Sequence, residues 1–440
     1  MKQRKNKPAT QQRPTPQNTM PILVQIEKPV YGGAFLSRVE GKAVFVPLTL
    51  PGEQVQIRIA LDKRGYATAE AEEIVTAMPE RIKPACPHFG VCGGCHYQHS
   101  NYETQLKLKQ AILRETLERG GVTVPDEIAV LAAQPWGYRN RIRLAFDATG
   151  NPGYRGVRSH AVIPVSECPI AAPLLIEAAQ ATASILRKFA LRPAEVSLFA
   201  NAGETEMLAT IYVAGRTKVR FDEVTLAIQE RIPSLIGAEL VAEGREGTAP
   251  RTVAQWGATS LTYHAADFNY RVDHGAFFQV NRWLVDSLVE KVIAGHNGAL
   301  AWDLFAGVGL FAQQLAAHFT QVVAVESAPA ATAALKENLR GSSGAAVCAT
   351  TLDFLRRNQS TTRPDLIVVD PPRAGLGSEA TALLAAIAAS ALVYVSCDPA
   401  TLARDLRVLL ASGYAIQSVT LADLFPQTYH LETVVQLRHS

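Results

Sequence analysis

The chain has 440 residues, 48% of them hydrophobic and 19% charged, with a formal net charge of +3. That length predicts two to three domains with room for large cores, and the composition is that of a soluble globular protein. The longest apolar run, Ala382 to Val395, is broken by Ser390 and falls short of a bilayer span, so no membrane role is expected.

The first twenty residues carry Lys2, Arg4, Lys5, Lys7 and Arg13 without one acid, and they lack an apolar segment. This predicts a disordered basic tail over residues 1–20, no secretory signal and a cytoplasmic protein. The tail's five positive charges exceed the net +3 of the whole chain, which leaves the remainder at −2. Any surface for a polyanion must therefore be local.

Short β-rich runs follow over residues 21–79: Ile22 to Ile26, Ala43 to Val46 and Gln54 to Ile59, separated by Gly32-Gly33 and Pro51-Gly52. This is the pattern of a small OB-type barrel. Six cysteines occur in the chain, three of them in a C-x5-C-x2-C cluster formed by Cys86, Cys92 and Cys95, while Cys168 stands alone. A disulfide framework is not expected in so large a chain without a signal peptide, and a metal centre is. The spacing leaves zinc open, with His88, His96 or His99 completing a site, as well as an iron–sulfur cluster.

A helix is expected from about Tyr102 to Arg119, with Leu106, Ile112, Leu113 and Leu117 at mostly helical spacings. In the segment Tyr138 to Phe146, a strand places Arg139, Arg141 and Arg143 on one face, which suits phosphate contacts or an edge protected by charge. From Phe277 onward the pattern becomes βαβ.

Ala301-Trp-Asp303-Leu-Phe305-Ala-Gly307-Val-Gly309 reads as a strand end, an acid and a G-x-G turn leading into a helix. Such a turn lets the backbone approach an adenosyl group. Glu326 ends the next strand 19 residues beyond Gly307, where an acid can accept both ribose hydroxyls, and Asp353 follows a third strand within reach of an adenine amino group. These spacings favour an S-adenosylmethionine site over a dinucleotide site. Asp370-Pro371-Pro372-Arg373 ends a further strand in a rigid loop. Amino-group methyltransferases usually place an aromatic residue after the two prolines, so Arg373 argues against nitrogen methylation. The strand Ala391 to Val395 then leads to Cys397, with Asp398 as an N-cap and Pro399 in the first turn of a helix. That placement predicts a thiol of lowered pKa, poised as a nucleophile. The alternative is a small buried hydrophobe.

The G-x-G segment, Asp370-Pro-Pro-Arg373, Ser396-Cys397-Asp398-Pro399 and His430-Leu-Glu432-Thr433-Val434 together resemble the RNA uracil-5-methyltransferase family, over nearly the whole chain after the tail. The resemblance implies an α/β Rossmann-like class I methyltransferase domain. It also implies an N-terminal TRAM barrel and a mixed α+β central iron–sulfur domain in which Cys86, Cys92, Cys95 and Cys168 hold a [4Fe–4S] cluster. The implied boundaries are 21–79 for TRAM, 80–104 plus 135–270 for the central domain, and 105–134 plus 271–440 for the methyltransferase domain. Cys397 is implied as the nucleophile at uracil C6 and Glu432 as the base at C5. Gln279, Phe305, Gly307, Leu310, Glu326, Asp353 and Asp370 are expected around S-adenosylmethionine, although the family often has Asn where Leu310 stands and Cys where Ala306 stands. The accessory domains point to 23S ribosomal RNA, with transfer RNA as the alternative substrate and a monomer as the expected state. A non-catalytic RNA-binding protein on the same fold is the competing reading.

Overall fold

The computed structural model describes residues 20–215, 219–244, 249–359 and 363–439, so the basic tail lies outside the described residues except for Met20. Two compact units emerge, Met1–Lys83 and Pro84–Ser440. In the first, strands Ile22–Gln25, Lys28–Pro29, Ala34–Val39, Lys42–Pro47, Gln54–Asp62 and Tyr66–Thr76 form one six-stranded sheet. Its first two strands, consecutive in the chain, lie at opposite ends of the strand order, which curls the sheet towards a barrel. Alternation buries Phe35, Val44, Val46, Val55 and Ile57 on the inner face.

The second unit contains two larger sheets. One has seven strands in the order Val162–Pro164, Pro152–Arg155, Arg141–Phe146, Pro193–Ala200, Met207–Val213, Leu235–Ala242 and Arg251–Gly257. Helices Pro173–Lys188 and Phe221–Arg231 pack on it, so Ile142, Leu144, Val196, Leu198 and Ile211 share a core with Leu175, Ile185 and Ile228. The expected row of three arginines does not form. Arg139 precedes the strand and is bonded through its backbone to Ile170 and Ala172. Arg141 is withdrawn over the Phe199 ring at 4.1 Å, and Arg143 lies over Tyr212 while pairing with Glu195 at 2.5 Å. The strand starts two residues later than the alternation suggested, which leaves Arg139 outside it, and aromatic and acidic neighbours from other strands engage Arg141 and Arg143.

The other sheet has eight strands in the order Gly344–Cys348, Phe319–Glu326, Gly298–Leu304, Leu366–Val369, Ala391–Ser396, Glu432–His439, Tyr414–Ala422 and Ala129–Leu131. The first five run parallel, and Glu432–His439 is antiparallel to its neighbours. Buried on both faces, these strands are continuous apolar runs, as Leu366–Val369 and Ala391–Val395 illustrate. The order reverses beside Gly298–Leu304, and a crevice at the carboxyl ends follows from that reversal.

Helix Tyr102–Arg119 begins where expected, capped by Asn101, whose side chain accepts from Thr104 N at 2.9 Å. Its buried Lys109 Nζ donates to Asp423 Oδ1 at 2.5 Å and to the Phe425 carbonyl at 2.9 Å, while Tyr102 Oη donates to Asp423 Oδ2 at 2.9 Å. Neither Lys109 nor Asp423 exposes any side chain. Burial lowers the Lys109 pKa and the Asp423 charge opposes it. Lys109→Met strands a buried carboxylate, and its expected cost is about 3–5 kcal/mol, read as a lower midpoint in chemical denaturation. An unchanged midpoint would show that water reaches Asp423.

Candidate active site

Strand register assembles the site. Leu304 pairs with Val369 and Val369 with Tyr394, so Phe305, Asp370 and the Ser396-Cys397 turn emerge side by side at the carboxyl edge. The antiparallel pairing ends at Ser396↔Thr433. The next residue on each strand is Cys397 and Glu432, so thiol and carboxylate lie across from one another. Asp398 caps the following helix, Pro399–Ala411, accepting from Ala400 N at 3.1 Å and Thr401 N at 2.9 Å.

The electrostatics correct one expectation. The Cys397 pKa is pushed up to about 11 rather than lowered, by burial first and then by the charges of Glu432 and Asp370, with Arg373 opposing. A helix start does not outweigh two carboxylates in a desolvated pocket. Burial pushes Asp370 up to about 7. Glu432 is raised well above the usual carboxylate range by burial and by Asp370, against Arg373. The two acids cannot both ionise cheaply, so charge on one opposes charge on the other beside the thiol. Arg373 Nη2 donates to His430 Nδ1 at 2.8 Å. Burial and the Arg373 charge hold His430 down to about 3, so its ring is neutral and accepts.

At the other end of the crevice, Phe305 (φ 70°), Gly307 (φ 56°) and Gly309 (φ 95°) take left-handed backbone conformations. A Cβ on Gly309 would meet Leu335 Cδ1 at 2.6 Å, whereas one on Gly307 would meet nothing within 4 Å. Gly309 therefore serves close packing, and Gly307 faces open space where a ligand can approach. Glu326 Oε2 accepts from Gly307 N at 3.0 Å and Oε1 from Ala328 N at 2.6 Å. Gln279 is buried, and its carbonyl accepts from Asn140 Nδ2 at 2.8 Å. Asp353 lies in the first turn of helix Thr351–Asn358, accepts from Thr350 Oγ1 at 2.7 Å and faces Arg356 at 3.5 Å. Leu310 is buried in the apolar core and offers its carbonyl to Tyr270 Oη at 3.0 Å.

The sequence reading passed over Asp303. It is fully buried, neither carboxylate oxygen has a hydrogen-bond partner, and burial with the nearby Asp370 pushes it up to about 7. Its signal was an acid inside an apolar strand, a position a soluble core rarely tolerates.

Cys86, Cys92, Cys95 and Cys168 line a single cavity together with His88, Arg139 and Tyr154. All four are free thiols, and Gly94 N donates to Cys92 Sγ at 3.4 Å. Burial raises Cys86, Cys92 and Cys95, the last to about 12, and the other sulfurs add to it. Among the described residues no three or more His, Cys, Asp or Glu converge as ligands of one ion. His96 is turned away, its ring against Tyr429 at 4.6 Å. No helix of the described residues is long and apolar enough to cross a membrane.

Comparison with known proteins agrees with this geometry. The family model described as tRNA (Uracil-5-)-methyltransferase matches residues 358–440, and that of the TRAM domain matches residues 18–71. An RNA methyltransferase of Streptomyces avermitilis is 32% identical over 94% of this chain and 97% of its own length. The 23S rRNA (uracil(1939)-C(5))-methyltransferase RlmD of Halomonas elongata is 32% identical over 91% of this chain and 86% of its own. The fold is also that of the Pyrococcus abyssi tRNA (uracil-54, C5)-methyltransferase solved with S-adenosyl-L-homocysteine, at a TM-score of 0.78 and 23% identity, covering 94% of this chain and all of that one. With a thiol and a carboxylate opposed at the edge of such a sheet and relatives of this extent, the chain belongs to the RNA (uracil-5-)-methyltransferase family.

Proposed function

We propose that this chain transfers the methyl group of S-adenosylmethionine to C5 of a uridine in 23S ribosomal RNA. The observation that carries this reading is the placement of Cys397 and Glu432 as successors of the Ser396↔Thr433 pair. Uracil C5 is a poor nucleophile. Addition of the Cys397 thiolate to C6 makes an enolate, whose C5 attacks the sulfonium methyl and releases S-adenosylhomocysteine. Glu432 then takes the C5 proton, the C5–C6 double bond re-forms and the sulfur leaves C6. Because burial holds both the thiol and Glu432 in their protonated forms, the thiol proton must pass to water before attack and Glu432 must give up its own proton to water before it can take the one on C5; Arg373 favours the charged form of each. The target base must leave its stack to meet Cys397.

The residues suit the cofactor. Asp303 has two orphaned buried oxygens and Asp370 lies beside it in charge, an arrangement that a sulfonium and an ammonium group would satisfy. Glu326 and Asp353 suit the ribose and adenine, Phe305 stands at the carboxyl edge of the sheet, Gly307 leaves the approach open, and Gln279 is assigned to the cofactor by the family resemblance. Leu310 contributes only apolar packing and backbone.

The four thiols suit a [4Fe–4S] cluster better than a single ion. Its irons each take one thiolate, so the sulfurs must surround a cavity rather than converge on a point. When bound, such a cluster ties the Cys86–Cys95 loop to Cys168. We assign it a structural role in presenting the RNA-binding surface, with TRAM adding affinity. The choice of ribosomal over transfer RNA rests on the full-length likeness to 23S enzymes and on the TRAM segment.

Three outcomes are expected. A 23S fragment carrying 5-fluorouridine should form a denaturation-resistant covalent complex, since fluorine cannot leave as a proton, while a transfer-RNA transcript should not. Cys397→Ala should abolish both complex and methyl transfer, and Glu432→Gln should leave the complex but slow turnover by roughly 10²-fold or more; a fully active Cys397→Ala would overturn the mechanism. Titration calorimetry should find S-adenosylmethionine binding more tightly as pH rises from 6 to 8. Asp303 and Asp370, each with a pKa of about 7, gain charge over that window, and only their ionised forms attract a sulfonium. A flat profile would exclude these acids as its partners. Anaerobically purified protein should carry about four irons and four sulfides per chain, and Cys95→Ser should lose them; one zinc in their place would refute the cluster.

A further inference from the structure

The loop 423–431 carries the chain from strand Tyr414–Ala422 to the base, and its ends are pinned by the pair Ala422↔Glu432. At its middle, Gln427 is a non-glycine residue at φ 68° and only 2% exposed. Such a conformation persists only where surroundings hold it, and here four hydrogen bonds do. The Gln427 carbonyl accepts from His96 N at 2.8 Å and Tyr97 N at 3.0 Å. Its amide donates to Gln105 Oε1 at 3.0 Å, and its side-chain Oε1 accepts from Gln105 Nε2 at 2.9 Å. Gln105 is itself 1% exposed and also donates to the Ser100 carbonyl at 2.9 Å. One residue of the base loop thus bonds both to the segment directly after Cys95 and to helix Tyr102–Arg119.

The neighbours continue the connection to the chemistry. Tyr138 Oη donates to the Pro426 carbonyl at 3.1 Å, and Tyr429 packs between His96 at 4.6 Å and His430 at 4.4 Å. His430 is held by Arg373, and Glu432 follows two residues later. The other half of the site hangs on different supports. Cys397 follows the end of strand Ala391–Ser396 and precedes the Asp398 cap of helix Pro399–Ala411.

We infer that Gln427, clasped by Gln105, is a positioning residue for Glu432: strand pairing sets the base's backbone beside Cys397, and the clasp holds the loop that leads into it and links proton removal to the cysteine-bearing loop. This rests on the proposed reaction, in which addition of Cys397 and proton removal by Glu432 are separate steps. Losing the clasp should slow the second step and spare the first.

The test follows the covalent complex with two RNAs. Gln105→Met keeps helix length and volume but removes both bonds to Gln427. Gln427→Gly keeps the left-handed backbone and removes only the side-chain bond, and serves where the first variant does not fold by circular dichroism. On 5-fluorouridine RNA, where no proton can be removed, both variants should form the complex at the wild-type rate. On ordinary uridine RNA, release should slow about tenfold and the complex should accumulate, since a displaced base is costly. Adding Glu432→Gln to Gln105→Met should slow release no further than Glu432→Gln alone, because one step cannot be lost twice. Equal slowing of formation and release would mark a general packing role and overturn the inference, as would unchanged release. A wild-type chain that forms no complex with 5-fluorouridine RNA would remove the proposed reaction and this inference with it, whereas a wild type that forms it beside a variant of normal release removes the inference alone.

Discussion

The antiparallel pairing of Ala391–Ser396 with Glu432–His439 is the constraint on which the site depends. It places the Cys397 thiol and the Glu432 carboxylate on adjacent strand ends, about one interstrand spacing apart, through the register of the backbone ladder. Both strands are buried throughout most of their length, so a slip by one residue would exchange the side chains packed on the two faces of the sheet and misfit both. The register is therefore as secure as the core. Pairing a thiol and an acid in this way has an electrostatic consequence, because burial that fixes them also suppresses their charges.

That consequence organises the remaining polar groups. Asp303, Asp370, Glu432 and Cys397 all resist ionisation where they stand, and the Arg373 charge works against this at both Cys397 and Glu432. A crevice with more acid than it can ionise is a natural host for a sulfonium ligand. It is also a place where a proton can be accepted without a large change in hydration. In the proposed reaction the resting thiol is no defect, since substrate and cofactor alter the balance of charge around it.

Distant parts of the chain meet this site through the loop before Glu432. Lys109 and Asp423, more than three hundred residues apart in sequence, form a fully buried ion pair. Gln105 and Gln427 clasp one another beside it. The cysteine loop reaches the same loop through His96 and Tyr97. Buried polar networks of this kind specify one arrangement by making every alternative leave a group unpaired.

Local physics was legible in the sequence wherever a residue's role depends on its immediate neighbours. The helix from Tyr102 to Arg119, the Asp398 cap with Pro399, and the strands ending at Glu326, Asp370 and Cys397 follow from periodicity, capping and apolar runs. The family motifs likewise lie in short continuous segments. Tertiary structure alone decided the rest. Whether Cys397 is easy or hard to ionise depends on carboxylates brought from two other strands, and burial with those charges reversed the expectation drawn from its helix. Arg141 and Arg143 sit two apart on one strand, yet their partners Phe199, Glu195 and Tyr212 come from two other strands of the same sheet. Gln427 gives no signal in sequence, because its importance lies in four hydrogen bonds whose partners stand over three hundred residues away. Charge and hydrogen bonding are set by what lies nearby in space, and only the folded chain establishes that.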